Sequence, residues 1–314
     1  METMAEGLRA AAIAILLALH LICVNIAALG PLACIGLAGT DRVRSEIGRW
    51  LAWLCCGLFF GGMLLGGLVI GIYDFNNRDA FFKALLRIPH SRLHWAPAEL
   101  LFYLACLVPV AIWWRGLCRM RMLLGLLVLL AASNLIYHFI PLFVIISALH
   151  ATAGEGGELT ACELLQQFGS LPVLARVVHH LIAGVAVVAL TVALRSAHAA
   201  SRAESPEAEA DLQRLTQTSG RWALTASLLE IPSGLWFLWQ IPEAAREAML
   251  GGAMLPTALF VAALLLVFLL LQKLLAVAMG ETDGRSVTVA AGLLLATIVL
   301  MSGLLQQLGT LRAV

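Results

Sequence analysis

Charge is what this sequence has least of. Only 12% of its residues are Asp, Glu, Lys or Arg, where soluble domains carry about 25%. That deficit excludes an ordinary water-soluble enzyme and an extended disordered chain. A formal net charge of +1 leaves no basic face for a nucleic acid. No G-x-S-x-G, H-E-x-x-H or glycine-rich phosphate loop occurs, so hydrolase, metallopeptidase and kinase chemistry have no footing. The seven cysteines form neither C-x-x-C nor C-x-x-C-H, which removes zinc ribbons and covalent c-type haem. Six of them lie in or near apolar segments, where cysteine is a small filler, so a disulfide-stapled secreted domain is excluded too. No stretch alternates apolar and polar residues with period two, which excludes barrel strands.

What the 314 residues do contain is apolar surface, at 61% of positions and a mean hydropathy of +0.93. Eight apolar segments stand out, at roughly 9–38, 50–73, 97–114, 122–150, 173–194, 221–241, 254–280 and 287–308. A helix needs about 20 apolar residues to cross a bilayer. The expected fold is therefore an all-α integral membrane protein of about eight transmembrane helices, arranged as two four-helix bundles. Residues 1–195 supply helices one to five, 196–219 form a polar cytoplasmic loop, and 220–314 supply helices six to eight, in one membrane domain. Between the second and third spans, residues 78–92 carry Phe81, Phe82, Leu85 and Leu86 beside Lys83 and Arg87, the pattern of an amphipathic helix lying in the interface.

Lysine and arginine set the orientation. Arg42, Arg44, Arg49, Arg115, Arg119, Arg121, Arg195, Arg202, Arg214 and Arg221 gather on one side of an eight-span chain, and the acidic loop with Glu155, Glu158 and Glu163 falls on the other. The basic side is expected to be cytoplasmic, in the inner cell membrane, with both termini extracytoplasmic.

Ionisable groups at hydrocarbon depth are costly, so each is a functional candidate. They are His20, His138, the pair His179 and His180, and Glu230; Glu99 opens the third span. At about 1.5 Å per residue, His20, His138 and Glu230 fall roughly 16–18 Å below the outer face and His179 about 9 Å. Neutral imidazole needs no charge to bind haem iron and can satisfy Nδ1–H on a carbonyl. His20, His138, His179 and His180 are thus candidate ligands of haem b, with Glu99 and Glu230 as catalytic carboxylates. His179 and His180 lie about 100° apart on a helix, so only one faces a given haem. A proline follows Glu230 at Pro232 and frees a carbonyl inside the helix, which suits a proton relay or ion site equally. The glycines Gly57, Gly61, Gly62, Gly66, Gly67 and Gly71 of the second span read first as a helix-packing stripe.

The order of these features resembles subunit I of the cytochrome bd quinol oxidases. His20 in LLALHLICVNIAALGPLACIGL stands where that family has a haem-ligating histidine in its first helix. The Trp-led, glycine-rich GRWLAWLCCGLFFGGMLLGGLVIGI is similar to the family's second helix. Glu99 in HWAPAELLFYLACL matches a glutamate near the haems, and His179-His180 in VVHHLIAGVAVVAL match the low-spin haem histidine. The likeness covers roughly residues 10–245. IPEAAREAML replaces the quinone-loop Gln and Lys, GRQPW is absent, and His138 is an addition. The methionine ligand has only a positional counterpart in Met254. The resemblance implies a shortened relative that binds one or more haems b and no haem d. It implies electron transfer as a respiratory oxidoreductase within the lipid bilayer, to or from quinone, a partner membrane subunit or an extracytoplasmic cytochrome. Oxygen reduction is not implied. Two other classes fit the residues alone: a proton- or cation-conducting transporter built on the buried Glu and His, and a non-catalytic membrane scaffold.

Overall fold

Long apolar runs can satisfy their own backbone in lipid only as helices, and the described residues of this chain do so over most of their length. The computed structural model describes residues 2–39, 41–77, 80–150 and 156–311, among which there is no strand. The helices are α1 (Glu2–Leu37), α2 (Arg42–Asn77), α3 (Ala80–Leu85), α4 (His90–Ile112), α5 (Trp114–Arg119), α6 (Arg121–Ser133), α7 (Ile140–His150), α8 (Ala161–Phe168), α9 (Leu171–Ala200), α10 (Pro206–Gln240), α11 (Glu243–Glu247), α12 (Met254–Met279) and α13 (Gly284–Leu311). One turn of π-helix, Asn134–Phe139, joins α6 to α7 without a break in the rod.

Among the described residues, seven helices are long and apolar enough to cross a membrane: Glu6–Leu37, Arg42–Ile72, His90–Ile112, Arg121–Leu149, Leu171–Ala200, Met254–Met279 and Gly284–Leu308. The eighth expected segment, 221–241, is the second half of α10. It is continuous helix but falls outside that set, because Ser227, Glu230, Pro232 and Ser233 dilute its hydropathy.

The largest core joins α1, α2, α4 and α6 with parts of α9 and α10, a second lies among α9, α10, α12 and α13, and α1 also packs on α13. Missing side chains set the closest approaches. A Cβ on Gly30 would meet Cys55 Sγ at 2.4 Å, and one on Gly48 would meet the Trp114 ring at 2.3 Å. Pro31, inside α1, has no N–H to offer the carbonyl of Ala27. The Tyr103 hydroxyl of α4 takes that role, donating to Ala27 O at 2.8 Å from a fully buried ring stacked 4.8 Å from Phe59. Tyr103→Phe is expected to cost about 1–3 kcal/mol by stranding the carbonyl in a dry core. Thermal unfolding of the detergent-solubilised variant checks it.

Two expectations are corrected. The segment 196–219, expected as a loop, is helical except at residues 201–205. Ser205 caps α10 by accepting from Ala208 N at 3.2 Å, Pro206 sits in its first turn, and Leu212, Leu215 and Thr216 are buried. The polar residues thus coat the outer side of a helical hairpin. The interfacial helix expected over 78–92 shortens to α3. Residues 78 and 79 lie outside the described residues, α4 already begins at His90, and Ala84 and Ile88 are fully buried against Ile145 and Ile146 of α7. A connection after α7 steadies this corner. Leu159 N donates to Arg87 O at 2.7 Å, and Glu158 accepts from His90 N at 2.8 Å. Thr160 and Glu163 close a capping box on α8, whose backbone and hydroxyl hydrogen bonds hold the Glu163 carboxyl below its usual range.

Candidate functional site

Two polar groups sit between otherwise apolar helices. The first gathers His20, His179, His180 and Glu230. His20 projects from α1 onto α2, where its Nδ1–H donates to Gly62 O at 2.8 Å. A carbonyl only accepts, so the proton is on Nδ1 and the lone pair is on Nε2. Gly66, one turn on, admits the ring: a Cβ there would stand 2.8 Å from His20 Cε1. The glycine stripe therefore includes a seat for an imidazole, beyond the plain helix packing read from the sequence.

His179 repeats the arrangement one helix pair away. Its Nδ1 lies 3.1 Å from Ser233 Oγ and 3.1 Å from Glu230 Oε2, both on α10. The Ser233 hydroxyl donates onward to Glu230 O at 3.2 Å, so it accepts from the imidazole and Nε2 again keeps the lone pair. Gly234 faces the ring, with a Cβ there 3.4 Å from Cε1, and Phe237 stacks at 5.9 Å. The second carboxylate oxygen, Glu230 Oε1, is buried without a partner. Of the two adjacent histidines, His179 is the one that bonds α10.

The pairing of His179 with Glu230 places them at one level, against the expected difference of several ångströms. The reason is in the helix ends: α9 begins at Leu171 and α10 runs to Gln240, which puts His179 and Glu230 at similar distances from those ends.

The second group joins α4 to the π-turn. Glu99 Oε1 lies 2.5 Å from His138 Nδ1, and Glu99 Oε2 accepts from Arg92 Nη1 at 2.9 Å. Asn134 Nδ2 donates to the Glu99 carbonyl at 2.6 Å, and Arg92 Nη2 reaches His138 O at 3.5 Å. The wider π-turn, followed by Pro141, turns Asn134 and His138 toward α4; such turns recur at functional sites. Glu99 and Arg92 are mostly enclosed, at 16% and 18% exposure, while His138 remains 35% exposed. His138, also expected among the haem ligands, commits Nδ1 to the Glu99 carboxylate in the same way, which leaves Nε2 as its remaining nitrogen. Met254, the expected methionine ligand, is the first residue of α12 and 91% exposed, and no contact among the described residues ties it to a histidine.

Sequence reading missed four participants. Arg92 stands seven residues, two turns, before Glu99 on the same helix face, a spacing that was there to be read. Ser233 lies three residues after Glu230, also on its face. Gly62 and Asn134 act through backbone and tertiary geometry, which sequence periodicity does not carry. No group of three or more His, Cys, Asp or Glu side chains among the described residues could hold a metal ion by itself.

No family model, no curated protein and no solved structure matches this chain.

Proposed function

We propose that this protein is a membrane haem b protein that transfers electrons inside a bd-oxidase-like respiratory complex. In this reading α10 is an eighth crossing, the helices form two four-helix bundles, and both termini face outward. One observation carries the proposal. His20 and His179 each commit Nδ1 to a protein acceptor, a carbonyl in one case and a hydroxyl with a carboxylate in the other, and each keeps Nε2 for a ligand. Histidines that bind iron are held this way, because the outer hydrogen bond fixes both tautomer and ring angle.

The donors are of the type that haem b takes. His20, His179 and His180 are neutral nitrogen donors on α1 and α9, and Gly66 and Gly234 leave the two anchored rings without a Cβ on the facing helix. When bound, the group supplies a one-electron iron couple. His179 would hold it, oriented by Ser233 and Glu230. His20 or His180 would supply a further nitrogen donor to it or hold a second group. Glu230 keeps an unpaired carboxylate oxygen beside the site and is the chain's own place to hold a proton there. Quinone, a partner membrane subunit or an extracytoplasmic cytochrome would exchange the electrons.

The test is a titration of the purified apoprotein with haemin. Saturation at a fixed whole-number ratio, lost in His20→Ala and His179→Ala, is the expected result. Binding that is weak, non-saturating and unchanged in both variants overturns the proposal.

A second reading rests on a different observation: the described residues hold two Glu–His pairs, Glu99–His138 at the π-turn and Glu230–His179 beside Pro232. Such pairs suit a proton or cation path. This reading predicts that Glu230→Gln abolishes proton uptake into proteoliposomes made with pigment-free protein. Under the haem reading that protein conducts no protons.

A further inference from the structure

Where α1 ends and α2 and α6 begin, the bundle carries a charged recess that the proposed haem site does not use. It is an open cavity of about 240 Å³ lined by Gly36, Leu37, Ala38, Gly39, Asp41, Arg44 and Arg121. Three elements meet there: the C-terminus of α1 and the N-termini of α2 and α6. Its wall is low because Gly36 has open space where a Cβ would stand. The volume is below the roughly 300 Å³ of the smallest drug-sized sites, so it suits a small headgroup fragment.

The charges around the recess do not cancel. Asp41 is already committed: Oδ1 caps Val43 N at 2.9 Å and Oδ2 lies 3.5 Å from Arg44. Arg42 pairs with Glu46 at 3.0 Å. Arg121 makes no ion pair among the described residues, and Arg115 and Arg119 on α5 add cations of the same sign close by in the chain. Beside the recess, Ile35 of α1 and Met122 of α6 are exposed at 43% and 91%, and Trp113 at the end of α4 is 64% exposed. Cations at the rim with apolar and indole side chains next to them match the two halves of a phospholipid.

We infer that Arg44 and Arg121 form a binding site for the phosphate of an anionic phospholipid, whose acyl chains lie along Ile35 and Met122. Charge complementarity chooses the occupant. A zwitterionic lipid brings its own ammonium, which the uncompensated Arg121 repels, whereas a phosphatidylglycerol-type headgroup brings only the phosphate charge. The proposal does not depend on haem, so it stands or falls separately from the function above.

The experiment uses the full chain in detergent, titrated with phosphatidylglycerol, phosphatidylcholine or inorganic phosphate. Native mass spectrometry reads bound lipid and thermal unfolding reads protection. Retention of one phosphatidylglycerol in preference to phosphatidylcholine is expected. Arg44→Gln and Arg121→Gln should each weaken it about fivefold, and the double variant about thirtyfold. Arg285→Gln, which removes an exposed charge elsewhere on the chain, should leave binding unchanged. Arg121→Lys should retain most of it, which shows that a folded variant keeping the charge keeps the site. Equal affinity for both lipids, equal loss in Arg285→Gln, or equal protection by inorganic phosphate would each overturn the proposal.

Discussion

His179→Ala is expected to lower the haem-to-protein ratio of the purified protein at least about tenfold, and Glu230→Gln or Ser233→Ala to lower haem affinity by about ten- to a hundredfold without unfolding the chain. The argument is geometric. The imidazole of His179 reaches α10 through Nδ1, with Ser233 Oγ and Glu230 Oε2 both at 3.1 Å. Alanine removes the donor nitrogen itself. Glu230→Gln keeps the length of the side chain but replaces the carboxylate that orients the ring. Ser233→Ala removes the hydroxyl that both accepts from Nδ1 and donates to Glu230 O. A graded series, with the ligand worst and its two anchors intermediate, separates a haem site from a packing histidine, because truncating a packing histidine changes stability and no pigment. Absorbance per mole of protein across the three variants checks the order.

Trp114→Ala is expected to have the largest effect on stability, about 3–5 kcal/mol. The Trp114 ring is only 1% exposed and is the largest fully buried side chain described. It lies against Gly48 so closely that a Cβ there would stand 2.3 Å away, and its Nε1 donates to Ser45 Oγ at 2.9 Å. Truncation opens a cavity between α2 and α5 and leaves the Ser45 hydroxyl without that donor. Gly48→Ala tests the same contact from the other side, by crowding instead of emptying it, and should cost about 1–3 kcal/mol. Denaturation of both variants in detergent measures the two costs, and the haem content of folded Trp114→Ala should be unaffected because the ring lies outside both polar groups.

The helices were legible in the sequence because lipid leaves the backbone no other choice, and the apolar runs mark their centres. Their ends were less legible. Polarity ended the fifth segment on paper at 194, yet α9 continues to Ala200 and α10 starts at Pro206, since a helix leaving the bilayer goes on making its own hydrogen bonds in water. The Ser205-Pro206 start and the buried Leu212 and Leu215 carried that signal in a short amphipathic pattern. The site was legible as a set of types and not as a set of partners. His20, His138, His179, His180 and Glu230 were each marked by cost at depth, and Glu99 by its place at the opening of a span. That Glu99 would bond His138, and Glu230 would bond His179, depends on how α4 meets the π-turn and how α9 meets α10, which no spacing within one helix encodes. Tyr103 shows the same limit: Pro31 announces a freed carbonyl, but its donor comes from another helix.

The central claim is that the anchored histidines hold haem b, and a reduced-minus-oxidised absorption spectrum of the purified protein, produced with ample haem supply, tests it most directly. The account predicts a Soret band and an α-band of haem b in the wild type, with the α-band lost in the combined His179→Ala and His180→Ala variant. A wild-type protein that is folded, supplied with haem and spectrally colourless would contradict it.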